Sequence, residues 1–325
     1  MIKAGIIGGG GYTAGELLRI LLHHPGVEIA FVNSQSQQGK PVVSIHQDLL
    51  GETPLKFSAE PNAHTDVLFV CSGHGKSRQI LKEYHISDST KLIDLSQDFR
   101  LTANAGFGNR HFVYGLPEFN KKAIRDANNI ANPGCFATAI QLALLPLLAE
   151  NQVSNAIHVN AITGSTGAGQ SLSDTTHYTW RNNNISIYKA FNHQHLAEIS
   201  ETFGTLQNSF NYEINFIPMR GNFTRGIFAS SYTYSDLSLA EIKQMYEAYY
   251  ENAPFTFISQ DTISLKQVVN TNKCLINVAK HGDKVLITSI IDNLLKGASG
   301  QAVQNMNLMF DMDEKAGLQL KPSTF

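Results

Sequence analysis

Cys135 combines a nucleophilic side chain with a position that would activate it. The short apolar segment 129–131 before it predicts a strand, residues 132–134 predict a turn, and the apolar run 139–149 after it predicts a helix. Such a corner places the sulfur near unpaired N–H groups and the positive end of a helix dipole. That setting favours the thiolate, which is the reactive form of cysteine. A small buried hydrophobic residue is the alternative interpretation, and the corner alone leaves both open.

Two histidines and a carboxylate are candidate acid–base groups. If a helix begins near Gln194, His195 and Glu198 share one of its faces. Glu198 could then orient the imidazole and raise its proton affinity. His193, just outside that helix, is the other candidate for the acid–base residue. Ordinary surface histidines and metal ligation are the competing interpretations; no further Cys/His cluster completes a metal site, so we expect no metal.

Two arginines are candidate anion-binding groups. Arg100 closes the segment 94–100 at the carboxyl end of a predicted strand, the edge where ligands of open α/β sheets bind. Arg225 lies just ahead of a later strand. A planar guanidinium can bind a carboxylate or phosphate through two parallel hydrogen bonds, although a surface salt bridge is the alternative for each arginine. The glycine-rich turn 164–169 indicates only that backbone must come close to another group.

A glycine-rich loop joins the first predicted strand to the first predicted helix. The spacing of Gly9, Gly11 and Ala14 fits the G-x-G-x-x-A form of the dinucleotide-binding fingerprint. Glycines allow the tight turn and the close approach of a pyrophosphate, which the helix N-terminus then binds. A glycine-rich turn without a ligand is the alternative interpretation. We expect a cofactor to contact the residues of this loop: Gly8, Gly9, Gly10, Gly11, Tyr12, Thr13 and Ala14.

The residues after the second predicted strand favour NADP over NAD. NAD enzymes usually carry Asp or Glu there to bind the ribose hydroxyl. This chain instead has Asn33, Ser34, Gln35 and Ser36, with Lys40 close behind. These residues supply hydrogen-bond donors and no carboxylate that would repel a 2′-phosphate. We therefore expect NADP(H), with Ser34 and Ser36 among its contacts.

The elements that would position these groups change in character along the chain. Apolar strands alternate with amphipathic helices over roughly the first 130 residues, which predicts a Rossmann-type doubly wound parallel sheet of the α/β class. After residue 133 the strands become longer and more alternating, which indicates a second, α+β domain with a mixed, largely antiparallel sheet. The predicted strands are 2–7, 28–32, 67–71, 91–95, 156–163, 226–234, 274–279 and 284–291, and the predicted helices are 14–24, 76–84, 139–149, 239–252 and 297–310.

Composition excludes several classes of function. The chain has 325 residues, 25 Lys plus Arg and 27 Asp plus Glu, and a formal net charge of −2. It has no long basic run, so we expect no nucleic-acid partner. We also expect no signal peptide. No apolar run approaches the roughly 18 residues that a membrane span needs, so we expect no membrane association. Three widely spaced cysteines suggest reduced thiols and a cytoplasmic protein.

In combination these motifs resemble the N-acetyl-γ-glutamyl-phosphate reductase family, nearly from end to end (about residues 5–318). The most specific segments are the cysteine corner, residues 193–199 and residues 292–297. The glycine loop, 8–16, is much less specific than these, and the resemblance also includes segments 94–100, 114–118, 164–169, 221–227 and 301–307. The family resemblance implies NADPH-dependent reduction of N-acetyl-γ-glutamyl phosphate to the 5-semialdehyde, with release of phosphate, through a thioester on Cys135.

The resemblance also implies a domain division and further site residues. Residues 1–133 with 298–325 would form the NADP-binding domain, and 134–297 the catalytic and oligomerisation domain of a homodimer or homotetramer. Substrate would contact Arg100, Arg225 and Asn132. The cofactor would also contact Ser72, Gly73, Ser165, Gly167, Ala168, Asn293 and Lys296.

Departures from the family pattern leave alternatives open. Gln35 stands where a cationic residue is common, and residues 136–138 (Phe, Ala, Thr) replace the usual Tyr-Pro-Thr beside the nucleophile. The N-acyl group is not determined, so an N-succinyl or a carrier-linked glutamyl phosphate is an alternative substrate. Aspartyl phosphate would use the same chemistry. A non-enzymatic alternative is an NADP-binding redox sensor whose cysteine does no catalysis.

Overall fold

The computed structural model describes residues 1–61 and 64–323, and the chain divides into two units. Unit 1 comprises Met1–Gly134 and Ala298–Gln319, and unit 2 comprises Cys135–Gly297 together with the residues from Leu320 onward. The first boundary therefore lies one residue after the predicted one. The sequence analysis assigned all of 298–325 to the nucleotide domain. The structure assigns only Ala298–Gln319 to unit 1, so this part of the prediction is wrong. In unit 2, Ser323 N–H donates to the Val269 carbonyl (3.2 Å).

A parallel sheet forms the centre of unit 1. Within the described residues it has seven strands in the order β3-β2-β1-β4-β5-β9-β8, and neighbouring strands are parallel throughout. All four residues of its strand Val67–Val70 are buried, as expected of a strand in a parallel sheet that is covered on both faces. The predicted doubly wound fold is confirmed. The strands of unit 1 are β1 (Ile2–Ile7), β2 (Val27–Asn33), β3 (Phe57–Ser58), β4 (Val67–Val70), β5 (Lys91–Asp94), β6 (Gly106–Phe107), β7 (Arg110–His111), β8 (Val113–Tyr114) and β9 (Asn129–Ala131), of which β6 and β7 form a separate hairpin.

The helices of unit 1 are α1 (Tyr12–Leu21), α2 (Ser77–Glu83), α3 (Pro117–Asp126) and the C-terminal helix (Gly300–Met309). All ten residues of the C-terminal helix are buried, and the helix packs against α1 and α3. Ser299 Oγ donates to the Thr13 carbonyl at the start of α1 (2.7 Å). This helix begins three residues later than predicted, because a π-helical turn, Leu295–Ser299, precedes it. Single-turn 3₁₀ segments lie at Gln35–Gln37, Val42–Ser44, Gln47–Leu49 and Thr102–Asn104.

A mixed sheet forms the centre of unit 2, as predicted. Its seven strands within the described residues follow the order β11-β12-β10-β13-β16-β15-β14. The pairs β10–β12 and β14–β15 are parallel and the other pairs are antiparallel. Burial alternates along β13, which is typical of a strand with one covered face. The strands are β10 (Ile157–Thr163), β11 (Ser186–Ile187), β12 (Ile214–Arg220), β13 (Ile227–Tyr234), β14 (Thr256–Ser259), β15 (Cys274–His281) and β16 (Lys284–Ile291).

Helix α4 (Cys135–Ala149) is the central helix of unit 2. Every residue from 136 to 148 is buried, which is expected of a helix that is apolar on all sides. Pro146 has no N–H to donate to the Leu142 carbonyl, and the Tyr250 hydroxyl donates to that carbonyl instead (2.5 Å). The other helical segments of unit 2 are α5 (Tyr178–Arg181), α6 (His195–Leu206), α7 (Leu239–Tyr250) and the 3₁₀ turns Ser165–Ala168, Asp174–Thr176 and Leu265–Gln267.

None of the helices in residues 1–61 and 64–323 is both long and apolar enough to cross a membrane.

Candidate active site

The glycine loop of unit 1 makes a tight turn between β1 and α1, as the dinucleotide-binding fingerprint predicts. Gly8 has φ +81°, and a Cβ on it would lie 2.8 Å from the Cys71 backbone, so only glycine fits there. The Gly9 N–H donates to the Asn33 carbonyl at the end of β2 (2.8 Å). Gly11 is the N-cap of α1 and supplies no side chain to cap it. The N-cap residue of α1 therefore supplies no side-chain acceptor to the first N–H groups of the helix, which is compatible with an anion at this terminus.

Other groups around this loop also fit a dinucleotide. The Ser72 hydroxyl is buried without a hydrogen-bond partner among the described residues, and Gly73 beside it has φ +83°. The Ser34 hydroxyl lies 3.9 Å from where a Cβ on Gly10 would be, while Ser36 is exposed. No residue from 33 to 40 is acidic. The donors present therefore suit a nucleotide phosphate, and the expected contacts of Ser34, Ser36, Ser72 and Gly73 with the cofactor stay predictions.

Two residues of the glycine loop, Thr13 and Gly9, form hydrogen bonds to side chains from other segments of unit 1. Thr13 hydrogen-bonds the Cys71 thiol, and burial raises the pKa of that thiol to about 12, so Cys71 stays protonated. His46, which the sequence analysis did not select, lies under the loop: its Nε2 is 2.7 Å from the Gly9 carbonyl oxygen. Nothing in the local pattern around His46 indicates this contact, because it spans 37 residues.

Arg100 and Asn132 are buried within unit 1. Arg100 donates from Nε to the Asn132 carbonyl (2.9 Å) and from Nη2 to the Leu95 carbonyl (3.2 Å). The Asn132 side chain donates to the Ala298 carbonyl (3.0 Å) and accepts from Asn305 (3.1 Å). Both side chains therefore stabilise the turn that precedes Cys135. Their expected contacts with substrate stay predictions.

Cys135 is the first residue of α4 in unit 2, and its side chain is partly exposed. This places the sulfur at the positive end of a long buried helix, where negative charge is stabilised. Gly297 packs directly against it: a Cβ on Gly297 would lie 2.8 Å from Cys135 Cβ and 3.2 Å from its Cα. The Gly297 N–H is held by the Asp292 carbonyl (2.9 Å), so the glycine cannot easily withdraw.

We expect Gly297→Ala to lower kcat by about 10- to 100-fold, because a small displacement of a reacting group has effects of that order. The added methyl group must displace Cys135 or the 292–297 turn. The measurements are kcat and the rate of Cys135 alkylation by iodoacetamide. Gly204→Ala in α6 is the control, since a Cβ there meets nothing within 4 Å. Unchanged kcat and alkylation in Gly297→Ala would contradict the close packing.

The predicted acid–base residues are close together in unit 2. His195 is the first residue of α6, and its Nε2 lies 3.9 Å from Glu198 Oε1 on the same helix face, with both side chains buried. The His193 ring lies 4.6 Å from the His195 ring. Phe136, the residue after Cys135, contacts both rings, with centroid distances of 5.5 Å to His193 and 6.4 Å to His195. The histidines are therefore adjacent to the start of α4.

The two histidines differ in their hydrogen bonding and charge. His193 Nδ1 accepts the backbone N–H of His195 (3.3 Å), so the neutral His193 ring carries its proton on Nε2. Burial, and then the positive charge of Lys189, lowers the pKa of His193 to about 4. His193 is therefore neutral at pH 7, and its basic nitrogen is already occupied. This arrangement favours His195 as the residue that exchanges protons.

Tyr188 and Arg220 complete this cluster and were missed by the sequence analysis. The Tyr188 ring lies 5.7 Å from the His193 ring, and the Arg220 guanidinium lies 4.8 Å from the centre of the Tyr188 ring. Burial, and then the negative charge of Cys135, raises the pKa of Tyr188, so its hydroxyl stays protonated. Arg220 ends β12, a strand that the sequence analysis did not predict.

Arg225 belongs to a second cluster in unit 2, around Asp292. Its Nε and Nη2 donate to the two Asp292 carboxylate oxygens at 3.0 and 3.2 Å. The Asn293 side chain accepts from Gly226 N–H (2.6 Å) and donates to Thr166 (3.0 Å), which fixes the glycine-rich turn 164–169. Ser165, Gly167 and Ala168 lie in that turn, and Lys296 is fully buried. Their expected contacts with cofactor, and that of Arg225 with substrate, stay predictions.

Comparison with known proteins agrees with both units. Residues 3–127 match the family model described as "Semialdehyde dehydrogenase, NAD binding domain", and residues 135–293 match "Semialdehyde dehydrogenase, dimerisation domain". Two crystal structures have the same fold at low sequence identity. Aspartate semialdehyde dehydrogenase II from Vibrio cholerae has a TM-score of 0.71 at 18% identity, with 96% of this chain and 99% of that chain covered. The Candida albicans enzyme, solved with NADP, has a TM-score of 0.71 at 12% identity, with 95% and 99% covered. The chain is thus a semialdehyde dehydrogenase in class, with a nicotinamide dinucleotide as its cofactor.

Relatives of much higher identity define the family more narrowly. N-acetyl-gamma-glutamyl-phosphate reductase from Christiangramia forsetii is 58% identical over 325 residues, and the protein of that name from Parabacteroides distasonis is 55% identical over 327 residues. Both alignments cover 100% of each chain. The chain therefore belongs to the N-acetyl-γ-glutamyl-phosphate reductase family, which confirms the resemblance drawn from its motifs.

Proposed function

We propose that this protein reduces N-acetyl-γ-glutamyl phosphate to N-acetylglutamate 5-semialdehyde in the biosynthesis of arginine. The main observation is Cys135 at the start of α4 with two buried histidines beside it, in a chain 58% identical along its whole length to a protein named for this activity. The acyl phosphate, NADPH and a proton yield the aldehyde, NADP⁺ and phosphate. The bound cofactor supplies the hydride, and NADP is preferred because residues 33–40 include no carboxylate.

Cys135 makes and breaks the covalent bonds to substrate. Its thiolate attacks the acyl carbon, the bond from that carbon to the phosphate oxygen breaks, and a thioester forms. After hydride reaches the thioester carbon, the thiohemiacetal releases the thiolate and the aldehyde. The Cys135 N–H at the helix start can donate to the developing oxyanion.

His195 moves the proton in this proposal. It protonates the thiohemiacetal oxygen and removes that proton when the carbon–sulfur bond breaks, so the aldehyde leaves neutral. Glu198, 3.9 Å from Nε2, orients the ring and stabilises its charged form. His193 acts as a neutral support, since its Nδ1 holds the His195 backbone.

The remaining assignments concern assembly and location. The matched dimerisation domain supports a homo-oligomer, which we assign as a homodimer or homotetramer. Within the described residues Cys71, Cys135 and Cys274 form no disulfide bond, which suits a reducing cytoplasm.

The test is NADP⁺ reduction with N-acetylglutamate 5-semialdehyde, measured at 340 nm with and without inorganic phosphate. We expect reduction only when phosphate is present, because phosphate must release the acyl group from Cys135. Reduction without phosphate would point to hydrolysis of the thioester. No reduction in spite of NADP⁺ binding would reject the proposed substrate, and the N-succinyl analogue would be tested next.

A further inference from the structure

Arg220 lies beside the cysteine–histidine cluster but has no part in the reaction described above. It is the last residue of β12, and its guanidinium lies over the ring of Tyr188 (4.8 Å). Tyr188 in turn contacts the His193 ring (5.7 Å), and His193 contacts Phe136, the neighbour of Cys135 (5.5 Å). Two aromatic rings, Tyr188 and His193, therefore link the guanidinium to the start of α4 through consecutive contacts.

The positive charge of Arg220 is not neutralised within the described part of the chain. No carboxylate there lies within 4.0 Å of either Arg220 or its neighbour Arg181. Arg181 is buried, and its donors are used by the carbonyls of Thr175, Asn184 and Arg220 and by the Ser186 hydroxyl. Arg181 therefore fixes the backbone of Arg220 and adds a second positive charge, an arrangement that favours an anionic ligand.

Arg225 provides a useful contrast within the same unit. Asp292, which is fully buried, neutralises it through two hydrogen bonds. Asp292 also accepts N–H groups of Asn270 and Leu294, so it is fixed in place. Of the two arginines, Arg220 is therefore the better source of net positive charge for a substrate.

We propose that Arg220 binds a carboxylate of the acylated glutamyl substrate and so determines which acyl glutamates the enzyme accepts. This inference rests on the proposed function. The phosphate is joined through one oxygen to the carbon that Cys135 attacks, whereas the substrate carboxylates lie several bonds from that carbon. A guanidinium at the other end of this chain of ring contacts suits such a distant carboxylate, and its planar fork can bind both oxygens. The carboxylate is either the α-carboxylate or a second one on the acyl group.

The experiment compares wild type, Arg220→Met and Arg220→Lys with the N-acetyl and N-succinyl semialdehydes in phosphate-dependent NADP⁺ reduction. Methionine keeps the apolar contact with Tyr188 but removes the charge. We expect KM for the semialdehyde to rise about 10- to 100-fold in Arg220→Met, since hydrogen bonds to charged groups have effects of this size. Arg220→Lys should recover part of the loss, while KM for phosphate should not change. Lys284→Met is the control, because it removes another cation over a tyrosine ring (5.3 Å) far along the same sheet.

The outcomes separate the sources of the carboxylate. A rise in KM for both semialdehydes would identify the α-carboxylate, and a rise for the N-succinyl substrate alone would identify the acyl carboxylate. Three results in Arg220→Met would overturn the inference. They are an unchanged KM for every semialdehyde that wild type oxidises, a loss confined to kcat, and a rise in KM for phosphate in place of the semialdehyde. Wild type that oxidises neither semialdehyde would reject the proposed function, and the inference with it.

Discussion

Cys135→Ser is expected to lower phosphate-dependent NADP⁺ reduction by about 10⁴-fold or more, because losing a catalytic nucleophile has effects of this order. Serine preserves the size and position of the side chain at the start of α4, but its hydroxyl is not ionised at neutral pH. The affinity for NADP⁺ should be unchanged, since the glycine loop lies in unit 1. The measurements are the steady-state rate and the NADP⁺ dissociation constant from fluorescence titration.

Cys274→Ser is the matched control for this substitution. Cys274 is buried in β15, and its sulfur already lies 3.5 Å from the Ser289 hydroxyl, so a serine there has a hydrogen-bond partner. Its turnover should match that of wild type. If Cys135→Ser retained more than about one hundredth of the wild-type rate, the thioester route would be rejected, because a serine ester would not sustain that rate.

The fold was predictable where local pattern and tertiary packing agree. The buried strands of unit 1 are short, continuous apolar runs, so β1, β4 and β5 were located within one residue. Ser238 and Glu241 form both halves of a capping box, and α7 begins there at Leu239, the residue at which the helix 239–252 was predicted to begin. The π-helical turn before the C-terminal helix was not predicted, because it has no distinctive residue pattern. Short edge strands such as β11 pair through two residues only and leave no periodic signal.

The site was predictable where its groups are close in sequence. Cys135 at a helix start, and His195 with Glu198 one turn apart, follow from local spacing alone. Contacts between distant segments did not follow from it. The pairing of Arg225 with Asp292 spans 67 residues, and Arg220 reaches Tyr188 only because β12 lies next to β11 in the sheet. Only the structure therefore shows that a carboxylate neutralises Arg225 and that none among the described residues lies against Arg220.

His195→Asn is expected to lower kcat by about 10²- to 10⁴-fold, which is the usual contribution of a general acid–base residue. His193→Asn should lower kcat by no more than about 10-fold, because an asparagine oxygen can replace Nδ1 as acceptor of the His195 N–H. The two variants make the same substitution at two histidines whose rings lie 4.6 Å apart, so each variant is the control for the other. The measurement is kcat for semialdehyde oxidation at pH 7.5, with thermal melting to check the fold.

The pH dependence distinguishes the histidines independently of these rates. The pKa of His193 is about 4, lowered by burial, so His193 is neutral from pH 5 to 9 and cannot produce a change in rate there. In semialdehyde oxidation the acid–base residue must be unprotonated to accept a proton, so its protonation lowers the rate as the pH falls. An imidazole-dependent loss of rate between pH 8 and 5 must therefore come from His195, and His193→Asn should preserve it. If His193→Asn abolished that loss, or reduced kcat as much as His195→Asn, the proton transfer would belong to His193, and the hydrogen bond to its Nδ1 would have to break during turnover.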